Sequence, residues 1–252
     1  MIRILHISDI HLTQLGSPIW GADVKLNFDS AIKFISEIKL EIDAIFITGD
    51  LSNDGSIESY KYIDAAFASI GVPTYCCMGN HDNIDHVLSV FSSGFINYCP
   101  IAYVADWKFL ILNSIVPDEE DLGKNKARGY LSETSLKFLE SSITLDKRNT
   151  AIVLHHPPIE PGGWLNRKLL DNRDIFNKLI RKYEQVKLVL YGHTHYNLQT
   201  SLDGILYTSA SSIGFAFDKE LSKFEIAQGQ EGFNVYEICN DNIFCKSYHN
   251  FI

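Results

Sequence analysis

Basic charge is scarce in this chain. Only 22 Lys and Arg stand against 31 Asp and Glu, a formal net charge of −9 over 252 residues. A face that grips a phosphate backbone needs clustered basic residues, so a nucleic-acid polymer is not an expected partner. A small anion stays open as a ligand, because a bound metal inverts the local charge. Cysteine is also sparse and poorly spaced for structural work. Cys76, Cys77, Cys99, Cys239 and Cys245 are odd in number and none forms a CxxC pair. That pattern fits reduced, mostly buried thiols in a reducing compartment. Long apolar runs are missing too. "MIRILHISDIH" reaches polar residues too soon for a signal-peptide core, and no run approaches membrane-spanning length. The expectation is a cytoplasmic protein without a membrane partner. No linker, repeat or low-complexity segment divides the chain, so residues 1–252 read as one domain with two packed sheets.

What is present is an alternation of short apolar runs and helical patterns. "IRILHIS" (2–8), "DAIFIT" (43–48) and "PTYCCM" (73–78) read as strands. Helical patterns follow them around Leu26–Leu40, Ile57–Ile70 and Ile84–Phe91. The runs are continuous rather than alternating, as for strands buried on both faces. This βαβαβ rhythm predicts a parallel sheet under helices. "IAYVAD" and "KFLILN" flank Trp107 like a hairpin. "PDEEDLGKNKARG" (117–129) reads as a polar loop. Ser132 starts a helical pattern through Ile143, with Ser135 where a capping box has an acid. "AIVLHHPP" (151–158) is a strand stopped by prolines. A helix around Arg173–Tyr183 leads to the strand "VKLVLY" (186–191), and the tail reads as hairpins.

His, Asp and Asn gather just downstream of these strands. Asp9 and His11 follow the first, Asp50 the second, and Asn80, His81 and Asp82 the third. His155 and His156 end the fourth block, and "YGHTH" supplies His193 and His195. In parallel α/β sheets, sites form beyond the carboxyl ends of strands. Side chains two apart in a strand share a face, so His193 and His195 should converge, as should Asp9 and His11. His155 and His156 should diverge. A lone Asp after a strand is more often a turn or cap, and His86 and His249 read as ordinary surface or core residues. Five clusters in order are harder to attribute to turn chemistry.

Asp9-x-His11, Gly49-Asp50, Gly79-Asn80-His81-Asp82, His155-x-Pro157 and Gly192-His193-x-His195 together resemble the calcineurin-like metallophosphoesterases. "GDLSNDGS", "GYLSETSLKFLE" and "HHPPIEPGGWLN" are similar to segments of the bacterial class III cyclic-nucleotide phosphodiesterases. The resemblance runs from about residue 2 to residue 240. It implies an α/β fold, a four-layer αββα sandwich with two mixed β-sheets and two metals at the sheet edge. It implies hydrolysis of 3′,5′-cyclic AMP to 5′-AMP by attack of a metal-bridging hydroxide. The same chemistry on glycerophosphodiesters or a broad range of small diesters is the first alternative. A non-catalytic protein-binding scaffold is the second, and the intact donor set weighs against it.

The resemblance also distributes roles. One metal takes Asp9, His11, Asp50 and His195; the other takes Asp50, Asn80, His155 and His193. Bridging by Asp50 suits a carboxylate, and imidazole with carboxylate suits iron or manganese foremost, with zinc or cobalt as alternatives. Asn80 is a neutral amide, so the second metal should be held less tightly. His81 becomes a non-ligand that meets the phosphate and assists the leaving oxygen, with Asp82 orienting its ring or capping the next helix. His156 lines the pocket or packs. Trp164 stacks on a base, packs, or makes an interface contact. Phe215 and Phe217 sit in the irregular segment 211–227, as a pocket wall or a dimer contact, and a homodimer is allowed. Asn53 and Asp54 order the loop after Asp50. His6 is either a support for the site or a buried structural residue.

Overall fold

The computed structural model describes residues 1–38, 40–115, 127–218, 220, 223–240 and 242–251. Strands β1 (Ile2–Ile7), β2 (Ala44–Thr48) and β3 (Thr74–Cys77) are separated by helices α1 (Val24–Glu37) and α2 (Ile57–Ile70), and α3 (Ile84–Phe91) follows. Asp23 caps α1 by accepting from Leu26 N, and Gly71 ends α2 in the left-handed conformation that glycine adopts freely. β1 pairs in parallel with β2, and β2 with β3. A C-terminal hairpin, β10 (Gly232–Cys239) and β11 (Asn242–His249), joins antiparallel to β1. The first sheet therefore runs β11-β10-β1-β2-β3.

The second sheet is built from the middle of the chain. β4 (Ile101–Val104) and β5 (Trp107–Ile111) form the expected hairpin, with Ala105 and Asp106 at its turn and Trp107 opening the second strand. Helix α4 (Glu133–Leu145) precedes β6 (Thr150–Val153), and α5 (Arg173–Ile180) precedes β7 (Val186–Tyr191). Ser132 Oγ caps α4 through Ser135 N at 3.0 Å. The Ser135 hydroxyl meets Ser132 Oγ at 2.9 Å, where a capping-box acid would take backbone N–H. β8 (Leu198–Leu202) and β9 (Ile205–Ser209) close on an Asp203-Gly204 turn, giving the order β4-β5-β6-β7-β9-β8. The expected loop at 117–129 lies outside the described residues as far as 126.

Alternation within the strands makes four layers. Leu5, Ile7, Ile45 and Ile47 turn outward against Phe28, Tyr60, Ile63 and Phe67 of α1 and α2. Ile4, Phe46, Ala151, Val153, Leu188 and Tyr236 turn inward, where the two sheets meet. Leu110, Ile152 and Val189 face Leu139, Ile143, Phe176 and Ile180 of α4 and α5. Burial of each Val, Leu, Ile or Phe among them contributes about 1.5–3 kcal/mol, and the inner strands of both sheets are covered on both faces. This is an αββα sandwich of two mixed sheets. No described helix is long and apolar enough to cross a membrane.

Candidate metal centre

The carboxyl ends of β1, β2, β3, β6 and β7 meet at one edge of the sandwich. Asp9 N donates to Gly49 O at 3.1 Å, His11 N to Asp50 O at 2.9 Å, and Gly192 N to His155 O at 3.0 Å. His193 N donates to Asp9 Oδ2 at 3.0 Å, across the two sheets.

The donors converge by a different route from the one their spacing suggested. Asp9, His11, Asp50, His193 and His195 lie just beyond the strands, all with positive φ between 49° and 68°. Each such residue costs about 1–2 kcal/mol relative to right-handed backbone. Strained backbone of this kind concentrates at functional sites. The pleat of a strand therefore does not bring His193 and His195 together; a left-handed backbone does. Likewise His155 and His156 do not diverge. Both follow β6, both are buried, and both rings approach His193, at 4.9 and 5.0 Å between centroids.

Two donor sets share one oxygen. His11 Nε2 lies 3.2 Å from His195 Nε2, 3.5 Å from Asp50 Oδ2 and 3.9 Å from Asp9 Oδ1. His155 Nε2 lies 3.5 Å from the same Asp50 Oδ2, 3.2 Å from Asn80 Oδ1 and 3.1 Å from His193 Nδ1. Asp50 Oδ1 accepts from His81 N at 2.9 Å, which leaves Oδ2 facing both sets. All seven residues expected to be donors are thus brought together.

The chemistry of the donors fits cations. His155 Nδ1 donates to Thr48 O at 2.7 Å and His195 Nδ1 to Phe215 O at 2.8 Å. A carbonyl only accepts, so each Nδ1 carries the proton and each Nε2 presents a lone pair. Carbonyls that orient imidazoles in this way are the usual support of metal-ligating histidines. The result is an Nε2 lone pair on each of His155 and His195, 3.1–3.2 Å from another imidazole nitrogen and beside carboxylates, an arrangement that a cation satisfies. Without one, burial disfavours a charged His155, yet the adjacent Asp50 carboxylate prevails and pushes its pKa up to about 9. Burial likewise opposes charge on Asp50, but the His155 charge outweighs it and holds Asp50 well below the usual range. Burial drives His11 down to about 3 and holds His193 and His156 low. His156 Nε2 and His193 Nε2 are buried without a hydrogen-bond partner.

Glycine is required where backbones crowd the donors. A Cβ on Gly79 would collide with the Asp50 carboxylate, and one on Gly49, at φ 88°, would come within 2.6 Å of the His155 ring.

The surrounding residues divide less predictably. His81 is exposed, its ring meets His11 edge-on at 4.9 Å, and its Nδ1 approaches Asn53 O at 3.2 Å. Asp82 does not orient that ring. Its carboxylate accepts from Leu51 N, Ser52 N, Gly79 N and Tyr60 OH, tying the second block to the third. Nor does it cap α3; Asn83 does, accepting from His86 N. Asn53 was expected only to order its loop, yet its Oδ1 also meets His11 Nδ1 at 3.2 Å. Asp54 does order the loop, through Gln14, Ser52 and Ser56. His6 is buried between the sheets, 2.9 Å from Thr48 Oγ1, and Thr48 reaches Ser8, which donates to Asp9.

An aromatic cluster borders the first donor set. Phe215 meets His11 and His195 at 4.9 and 4.5 Å, and Phe217 stacks on His195 at 4.3 Å. Trp164 touches Phe217, and the Lys168 ammonium lies 5.4 Å from its ring. Sequence reasoning missed Trp20, which adjoins Phe215 at 5.1 Å. Its only local signal was a bulky residue before glycine.

Fold and donor chemistry together define a metal-dependent hydrolase scaffold with donors placed for a dinuclear centre. Residues 2–197 match the model of the family described as calcineurin-like phosphoesterase. The chain is 32% identical over 243 residues to a 3′,5′-cyclic-nucleotide phosphodiesterase of Nostoc sp., covering 95% of this chain and 89% of that one. It is 27% identical to the 3′,5′-cyclic adenosine monophosphate phosphodiesterase CpdA of Escherichia coli K12, over 98% of this chain and 89% of that protein. The crystal structure of a dimetal phosphatase from Danio rerio superposes with a TM-score of 0.72 at 13% identity, covering 100% of this chain and 96% of that one. The chain belongs to the calcineurin-like phosphoesterase family, whose members use a dinuclear metal centre.

Proposed function

We propose that the protein hydrolyses 3′,5′-cyclic nucleotides, cyclic AMP foremost, to 5′-monophosphates. The observation that carries this reading is the complete donor set in a chain alike over nearly its whole length to phosphodiesterases with that substrate in their names. Asp9, His11, Asp50 and His195 would hold one metal, and Asp50, Asn80, His155 and His193 the other. Nitrogen and oxygen donors without thiolate suit iron or manganese. When bound, the pair would supply charge neutralisation for the phosphoryl oxygens and acidify water.

The chain's own residues would do the rest. Asn80 and His81 lie on the more open side of the site, where the diester enters. With Nδ1–H given to Asn53 O, a second proton on His81 sits at Nε2. As water attacks phosphorus and the bond to O3′ breaks, that proton passes to O3′. Phe215 and Phe217 cover one flank and exclude water from it. The five cysteines are free, which supports a reducing, cytoplasmic location.

A substrate panel tests the reading: cyclic AMP, cyclic GMP, 2′,3′-cyclic nucleotides and glycerophosphodiesters, with metal content measured on the same preparation. Cyclic AMP should lead; turnover orders of magnitude below another diester would overturn the assignment. His81→Ala should lower kcat by about 10²–10⁴-fold with two metals retained. Asn80→Ala should reduce occupancy of the second metal.

A further inference from the structure

We propose that Trp20, together with Phe224 and Trp164, forms an aromatic wall that takes the purine base of the substrate, an inference resting on the cyclic-nucleotide reading above. Ile19 and Ala22 exchange both backbone hydrogen bonds, at 3.0 and 2.9 Å, and close a two-residue turn. Its tip is Trp20 and Gly21, with φ of 49° and 87°. Such turns favour Asn-Gly, because Asn tolerates the left-handed conformation. A bulky aromatic there is an outlier, and strain of this kind points to a role outside the fold.

Burial does not offset the strain, since Trp20 is 63% exposed. The ring stands against Phe215 at 5.1 Å and Phe224 at 4.6 Å. Phe224, itself 40% exposed, continues to Trp164 and Phe217. Phe215 in turn touches His11 and His195, so two ring contacts connect Trp20 to the metal donors. The aromatic cluster thus runs from the open rings of Trp20 and Phe224, through the buried Phe215, to the site that takes the phosphate. In a cyclic nucleotide the group one ribose away from phosphorus is a flat base. Lys168, above Trp164, adds a cation on the same flank. Trp164 has one neighbour cluster and one ammonium around it, which leaves Trp20 the more open of the two rings.

Calorimetric binding of adenosine 5′-monophosphate and of ribose 5-phosphate to the metal-loaded protein tests the wall without turnover. In Trp20→Asn the preference for the base-bearing ligand should fall about tenfold to a hundredfold, the scale of base–aromatic stacking. The melting midpoint should not drop, because Asn suits the turn; a merely structural Trp20 would lower it. In kinetics, the loss should appear in KM for cyclic AMP relative to the base-free 1-deoxyribose 3′,5′-cyclic phosphate. An unchanged binding preference overturns the proposal, as does an unchanged preference accompanied by altered self-association, which would make the wall an interface. If the wild type cleaves the base-free diester as well as cyclic AMP, the substrate reading falls, and the binding preference still decides the wall.

Discussion

Asp82 shows how one carboxylate can serve a site without entering its chemistry. Four donors converge on it, three of them backbone N–H groups from the turns that carry Asp50 and Asn80. Burial, followed by the Asp50 charge, pushes its pKa up to about 6. Asp82→Asn keeps the shape but turns one acceptor into a donor facing N–H groups. Hydrogen bonds to charged acceptors are worth about 1.5–3 kcal/mol each, and a buried donor left without a partner adds its own penalty. The variant should lose about 2–4 kcal/mol of stability by urea denaturation. It should also bind the second metal more weakly, while the His81 ring, held by Asn53, stays in place. A loss of turnover with neither effect would return Asp82 to the role of ring orienter. The seven candidate donors were legible through the five ordered blocks that resemble the calcineurin-like metallophosphoesterases, each block lying just beyond an apolar run. The partner of each donor was not, because Asn53 with His11 and Thr48 with His155 are contacts between blocks far apart in the chain.

At the scale of elements, strands and helices followed the apolar pattern closely. Ile57–Ile70 and Ile84–Phe91 are helices with the predicted bounds, and Val186–Tyr191 is the predicted strand. The segments leaving the strands did not follow it, because periodicity says nothing of a left-handed turn. His193 and His195 converge through φ of 68° and 57°, not through strand alternation. Polar residues inside elements were equally silent. Lys108, the second residue of β5, is almost fully buried, and its ammonium donates to Ser142 O at 2.6 Å and Asp146 O at 2.9 Å. It thereby closes the carbonyl end of α4, where a cation is favoured. Lys108→Met should keep the packing and strand while stranding those carbonyls. A loss of about 1–3 kcal/mol is expected, with hydrogen exchange accelerated in the last turn of α4. Uniform acceleration through both sheets would mean that Lys108 supports the strand and not the helix end.

The whole molecule sets these pieces in one frame. Its inter-sheet core draws residues from both sheets, so neither sheet has a complete core without the other. One cooperative unfolding transition is therefore expected, consistent with reading residues 1–252 as one domain. The candidate metal centre spans the same seam, with Asp9 and Asp50 from one sheet and His155, His193 and His195 from the other. Metals would thus stabilise the native state as a cross-link between sheets. A metal present at a hundred times its Kd adds about 2.7 kcal/mol. For a chain of this size that raises the melting midpoint by roughly 5–11 °C. Calorimetry before and after chelation should show a single peak that moves down by that margin and recovers on adding back manganese. Asp50→Asn should abolish the shift, because its Oδ2 is the one atom both donor sets share. Asn80→Ala should remove only part of it. Two separating peaks after chelation would mean that the sheets fold as independent units, and an unmoved peak would mean that the facing histidines do not await a metal.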